Sequence, residues 1–226
     1  MQDRGMRAAV LVVVLVLLAA ALVLVPAAQR AGRLEAAIDR AAEQPFVRHG
    51  DVPVVVVTGS SSVRRWPDPG MVFPGAQVVN TAVGGTTMED LLANADGLVL
   101  RFRPDEVVIG SGDNDLAHGR APEVVLAQTR QLIDTIHPVL PQARIVLIAA
   151  KPSPLRWHLR GQYQQLNAGY RRIAAESPQV AYANVWHRLL DASGEVRPEL
   201  YVRDGLHLNR AGYRLWQQPL ASLAGP

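Results

Sequence analysis

The chain has 226 residues, enough for one globular domain with a further segment attached, and its 49% hydrophobic content argues against disorder over most of that length. Net charge is +3, and the arginines are scattered rather than massed, so nothing marks a nucleic-acid partner. The absence of cysteine excludes disulfides, zinc–thiolate sites and a cysteine nucleophile, and leaves the redox compartment open.

Met1–Arg7 carries Arg4, Arg7 and the amino terminus against one acid, Asp3. Ala8–Val25 then runs for 18 residues without a polar side chain, and Pro26–Ala28 extends it. A spanning helix needs roughly 17–25 apolar residues, whereas a secretory signal core has roughly 7–15. Residues 1–28 are therefore expected to form an N-terminal transmembrane anchor. A signal peptide with Val25-Pro26-Ala27 as its cleavage site is the alternative, and either one exports the remainder. The positive amino end is expected on the cytoplasmic side, although Arg30 and Arg33 beyond the apolar run weaken that asymmetry. Residues 29–50 are rich in Ala, Arg and Glu, and Leu34, Ile38 and Ala41 share a helical face, which predicts a short stalk or linker helix ending before Pro45. The globular domain is expected over residues 51–226.

From there strands alternate with helices. Val54–Val57 is a run of β-branched residues and reads as a buried first strand. It leads through Thr58, Gly59 and three serines into Val63–Trp66, the expected start of a helix. Gln77–Asn80 is a second strand, Thr81–Thr87 a loop, and Met88–Ala95 a helix capped by Thr86 or Thr87 with Glu89 and Asp90 in its first turn. Glu106–Gly110 is a third strand and Pro122–His137 a helix. Ala143–Ala149 is a fourth strand, Gly161–Glu176 a helix, Val180–Asn184 a fifth strand and Asn209–Leu220 a closing helix. This alternation predicts an α/β fold, a three-layer α/β/α sandwich on a parallel, flavodoxin-like sheet of about five strands.

In a parallel sheet the segments after each strand gather on one edge. Here they are Gly59-Ser60-Ser61-Ser62, then Asn80-Thr-Ala-Val-Gly-Gly85, then Gly110-Ser-Gly-Asp-Asn-Asp115, with Asp204-Gly-Leu-His207 near the end of the chain. Together they supply a hydroxyl nucleophile, a glycine loop with free N–H groups, an amide side chain, and an acid three residues from a histidine. That is an inventory for acyl transfer. Each feature has an ordinary alternative. Ser61 or Ser62 could cap a helix, Gly84-Gly85 and Gly112–Asp115 could be plain turns, and Asp204 and His207 could be a surface pair. A metal site would need a second histidine at ligand spacing, which is missing, so no metal is expected. The other histidines (His49, His118, His137, His158 and His187) sit in no comparable cluster. Trp66 either lines a pocket or belongs to the core.

In this order the four blocks resemble the SGNH, or GDSL-type, esterase and lipase superfamily over roughly Pro53–Leu220. Gly59-Ser60-Ser61 stands for its G-D-S block, Gly85 for its glycine block, Gly112-Asp113-Asn114-Asp115 for its G-x-N-D block, and Asp204-Gly205-Leu206-His207 for its D-x-x-H block. Arg103-Pro104-Asp105 and Lys151-Pro152-Ser153-Pro154 are similar as well. The departure is Ser60, where the pattern has aspartate. By register the resemblance makes Ser61 the nucleophile, with Ser60 in reserve.

The resemblance implies a serine ester hydrolase without cofactor. His207 would be the general base and Asp204 would orient it. The backbone N–H groups of Ser61 and Gly85 and the Asn114 amide would bind the oxyanion. Asp115 is expected to hold the loop carrying Asn114. No long apolar lid is present, which favours short acyl groups such as acetyl, on a small-molecule, glycan or lipid ester of the cell envelope. The same machinery would also serve an O-acyltransferase, or persist in a non-catalytic binding module.

Overall fold

The structure, a computed structural model, describes residues 29–223. The expected membrane anchor or signal, residues 1–28, lies outside the described residues. Residues 29–42 are helical, and from Ile38 onward the chain belongs to one compact unit. Within that unit the segment expected to link is attached to the domain. Phe46 meets Phe102 edge to face at 5.2 Å, and Arg48 donates to the Asp105 carboxylate at 2.8 Å.

Five strands form one sheet in the order β2-β1-β3-β4-β5, every pairing parallel. They are β1 (Val54–Gly59), β2 (Gln77–Asn80), β3 (Glu106–Gly110), β4 (Arg144–Ile148) and β5 (Val180–Ala183). This is the doubly wound order in which the chain reverses direction across β1 and β3, and open sheets of this kind bind ligands at the carboxyl ends of the strands there. The valines of β1 are buried on both faces. Val55 and Val57 belong to a core with Trp66, Tyr213 and Trp216, while Val54 and Val56 face the opposite side. On that second side α5 (Pro122–Ile136) packs against α6 (Arg160–Glu176), and α6 against β5. No helix among the described residues is long and apolar enough to cross a membrane.

The remaining helices are short: α1 (Ser61–Arg64), α2 (Met88–Ala93), α3 (Ala95–Leu98), α4 (Asp113–Ala117), α7 (Arg210–Trp216) and α8 (Gln218–Ala221). Four differ from the sequence expectation, the first being α1, which starts at Ser61 rather than Val63 and ends at Arg64, short of Trp66. The helix expected over Met88–Ala95 stops at Ala93, and a separate turn begins at Ala95. The single closing helix divides at Gln217, because Pro219 in the first turn of α8 has no N–H to return to the preceding turn. The Gly112–Asp115 stretch, which reads as a turn, opens α4 instead. Gly112 there takes φ +100°, a conformation that lets the chain leave β3 and start a helix at once.

Trp66 belongs to the core. It is 3% exposed, lies edge-on to Trp216 at 5.0 Å, and donates its indole N–H to Gln217 at 3.2 Å.

Candidate active site

The carboxyl end of β1 brings the chain closest to its neighbour. Gly59 takes φ +134° and pairs with Gly110, and a Cβ on Gly59 would lie 2.1 Å from the Gly110 carbonyl oxygen. Only glycine fits there. The Ser60 N–H donates to that same carbonyl at 3.0 Å, and α1 starts at the next residue. Burial then separates the three serines. Ser60 and Ser62 are 3% and 9% exposed, whereas Ser61 is only partly covered. Ser60 occupies the N-cap position, yet its side chain makes no capping bond.

Asp204-Gly205-Leu206-His207 forms a turn just before α7. Leu206 and His207 donate their N–H groups to Asp204 Oδ1, each at 2.9 Å. Asp204 Oδ2 faces His207 Nδ1 at 2.6 Å, and His207 Nε2 lies 2.8 Å from Ser61 Oγ. The proton on Nδ1 is assigned by that carboxylate, leaving Nε2 as an acceptor toward the serine. Desolvation works against the Asp204 charge, but the His207 N–H, the His207 ring and the Leu206 N–H outweigh it. Together they hold this carboxyl well below the usual carboxylate range. The turn is tied down from the end of β4. Buried Lys151 donates to the Leu206 carbonyl at 2.6 Å, and the Leu155 N–H donates to the Gly205 carbonyl at 3.0 Å. Burial lowers the Lys151 ammonium below its ordinary value.

The glycine loop after β2 lies against the serine turn. The Val83 N–H and the Thr86 hydroxyl both donate to the Gly59 carbonyl, at 2.9 and 3.1 Å. Asn80 donates to the Val63 carbonyl at 3.2 Å. A Cβ on Gly84 would stand 3.5 Å from Ser61 Cβ, so this loop passes directly beside the nucleophile candidate. Gly85 takes φ +96°, and neither its N–H nor that of Ser61 donates to another described residue.

The β3 loop completes the cluster. Asn114 is buried and donates to the Thr86 carbonyl at 2.9 Å. Asp115 is fully buried and accepts the Met88 N–H at 3.1 Å, so it anchors the start of α2, the helix that follows the glycine loop. Burial raises the Asp115 carboxyl, opposed by the Met88 N–H and Arg120. Thr87 and Asp90 cap α2 reciprocally. Thr87 is thus the cap, and Thr86 serves the loop.

The residues singled out in the sequence, Ser61, Gly85, Asn114, Asp204 and His207, therefore converge at one edge of the sheet. Ser60 does not join them. Arg156 was not foreseen. It donates to the Asp113 carbonyl at 3.1 Å, to the Asp113 carboxylate, and to Asn114 Oδ1 at 3.1 Å. Its signal in the sequence was weak, since it lies two residues past Lys151-Pro152-Ser153-Pro154 in a stretch with no helical or strand period. Among the described residues no group of three or more His, Asp or Glu side chains could hold a metal ion.

Comparison with known proteins matches the profile of the GDSL-like Lipase/Acylhydrolase family to residues 58–215. The chain is a carboxylic ester hydrolase. It belongs to the GDSL-like lipase/acylhydrolase family. It is 26% identical over 170 residues to the human platelet-activating factor acetylhydrolase IB subunit alpha1, covering 71% of each chain. Its fold resembles a structure from Streptococcus pneumonia described as a platelet activating factor, with TM-score 0.79 and 22% identity, over 90% of this chain and 98% of that one. It also resembles an acetylxylan esterase from Geobacillus stearothermophilus, with TM-score 0.62 and 17% identity, over 77% of this chain and 96% of that one.

Proposed function

We propose that the chain hydrolyses short-chain acyl esters, acetyl esters above all, through Ser61, His207 and Asp204. The observation that carries this reading is the unbroken hydrogen-bonded line from Asp204 through His207 to Ser61, with contacts of 2.6 and 2.8 Å. His207 Nε2 takes the Ser61 proton as Oγ attacks the ester carbonyl. Asp204 stays ionised and stabilises the imidazolium. The negative oxygen of the tetrahedral intermediate is met by the N–H groups of Ser61 and Gly85 and by the second N–H of the Asn114 amide. His207 then returns the proton to the departing alcohol, and water repeats the sequence on the acyl-serine.

The acetyl preference draws on two similar proteins whose names specify acetyl esters, and on the lack of a long apolar lid. The apolar run Ala8–Val25 supports residues 1–28 as an anchor, or as a cleaved signal, that carries the domain outside the cytoplasm. Esters of envelope glycans or lipids would then be within reach.

The test is a series of p-nitrophenyl esters from acetate to octanoate with the purified full chain. Turnover should be highest on acetate and vanish in Ser61→Ala and His207→Ala. Unchanged turnover in either variant overturns the reading of the site. A preference for octanoate overturns the short-chain assignment alone.

A further inference from the structure

Asn114 is a primary amide with two N–H groups and one carbonyl oxygen, and at ordinary precision the two ends are told apart only by their partners. Here both partners are defined. One N–H donates to the Thr86 carbonyl at 2.9 Å, and Oδ1 accepts from Arg156 Nη2 at 3.1 Å. Turning the amide over would set oxygen against the Thr86 oxygen and NH2 against a guanidinium, so both contacts would become repulsive. We propose that Arg156 is a positioning residue for ester hydrolysis, holding the Asn114 amide so that its remaining N–H faces the developing oxyanion. This rests on the reading of Asn114 as an oxyanion donor.

Arg156 is itself held. Its side chain is 15% exposed, and it forms an ion pair with Asp113, the residue before Asn114. The Tyr163 hydroxyl donates to the same Asp113 oxygen, and Lys151 Nζ lies 4.0 Å from the other. A planar fork with several donors reaches Asp113 and Asn114 at once. An ammonium is a single point and cannot serve both in that geometry. The positive charge beside Oδ1 also polarises the amide in a partly desolvated place, which strengthens its N–H as a donor when negative charge appears. Arg156 acts through Asn114, whose remaining N–H meets charge that develops only in the transition state, so the effect is expected in kcat.

The experiment compares full-length Asn114→Ala, Arg156→Lys, Arg156→Met and the pairs of each Arg156 change with Asn114→Ala, on p-nitrophenyl acetate, with thermal melts alongside. Arg156→Lys keeps the charge and the Asp113 pair, and so guards against a variant that merely fails to fold. Its kcat should fall roughly 10–10²-fold with KM nearly unchanged. Asn114→Ala should lose about 10²–10³ in kcat. In the Asn114→Ala background, changing Arg156 should cost nothing further. The same loss in both backgrounds, or a loss carried by KM, overturns the proposal while leaving Asn114 its role. Full turnover in Asn114→Ala overturns the oxyanion reading and this proposal with it.

Discussion

Asp204→Asn alters one atom and one charge, and the turn around it dictates how the new amide sits. Asp204 Oδ1 accepts two backbone N–H groups at 2.9 Å, and an asparagine keeps both bonds only with its carbonyl oxygen in that position. Rotating the amide would set NH2 against two donors and forfeit about 1 kcal/mol per bond, roughly 2 kcal/mol in all. The NH2 group therefore faces His207 Nδ1, where Oδ2 stood 2.6 Å away. Nδ1 must then become an acceptor, and the ring proton moves to Nε2. An Nε2–H aimed at Ser61 Oγ can donate to it and cannot take its proton. A 2 kcal/mol preference leaves the productive tautomer about thirtyfold underpopulated. Loss of the carboxylate's hold on the imidazolium adds to this, for a total fall in kcat/KM of roughly 10³–10⁴.

Asp204→Ala imposes no tautomer. It should keep more activity than Asp204→Asn while melting lower, since it loses the turn's two hydrogen bonds. Initial rates on p-nitrophenyl acetate and parallel thermal melts measure both. An Asn variant that keeps more than about a tenth of wild-type turnover, or that outperforms the Ala variant, refutes the tautomer argument.

Ser60→Ala should leave turnover within about threefold, because Ser60 is buried and lies outside the hydrogen-bonded line, so a collapse comparable to that of Ser61→Ala would make Ser60 the nucleophile. Gly59→Ala should cost about 2–4 kcal/mol from the disfavoured φ and the clash with Gly110, lowering the melting temperature by roughly 5–15 °C; an unchanged melt refutes the close-approach argument. Asp204 titrates in the folded chain below its unfolded value. Its contribution to stability is therefore present above about pH 4 and is lost as pH falls through the lower folded value. It should add no step to the pH profile of kcat/KM between about pH 4 and 6, and a step there that vanishes in Asp204→Asn contradicts this.

The fold was legible because its strands are short apolar runs and its helices have clear apolar faces, as in Val54–Val57 and Pro122–His137. The candidate site was legible because four polar blocks follow strands or the last turn in a definite order, and a parallel sheet brings strand ends together. What stayed hidden depends on contacts distant in sequence. Arg156 lies 42 positions from Asn114 in sequence, and no local pattern announces such a bond. The helix at Asp113–Ala117 was masked by turn-forming residues, and it forms because Gly112 adopts a left-handed conformation that composition alone does not reveal. The choice between Ser60 and Ser61 rested on motif register in the sequence, whereas in the structure burial and a hydrogen bond distinguish them. Trp66 was unassigned because an indole near a nucleophile, though more often core, can also line a pocket, and its partners Phe73 and Trp216 place it in the core.

Ser61 and His207 lie 146 positions apart, yet their contact needs both ends of the domain in place. Tyr213 of α7 donates to the Ser62 carbonyl at 2.8 Å, and Trp216 backs Trp66 behind the serine turn. The last strand-ordering events and the docking of α7 must therefore precede any turnover on the proposed reading. On that reading, a chain synthesised only through the first strands already carries Ser61 and remains chemically silent, because His207 has not yet arrived. Esterase activity thus doubles as a readout of complete folding. In a refolding experiment it should return with the slowest phase, later than burial of the central valines.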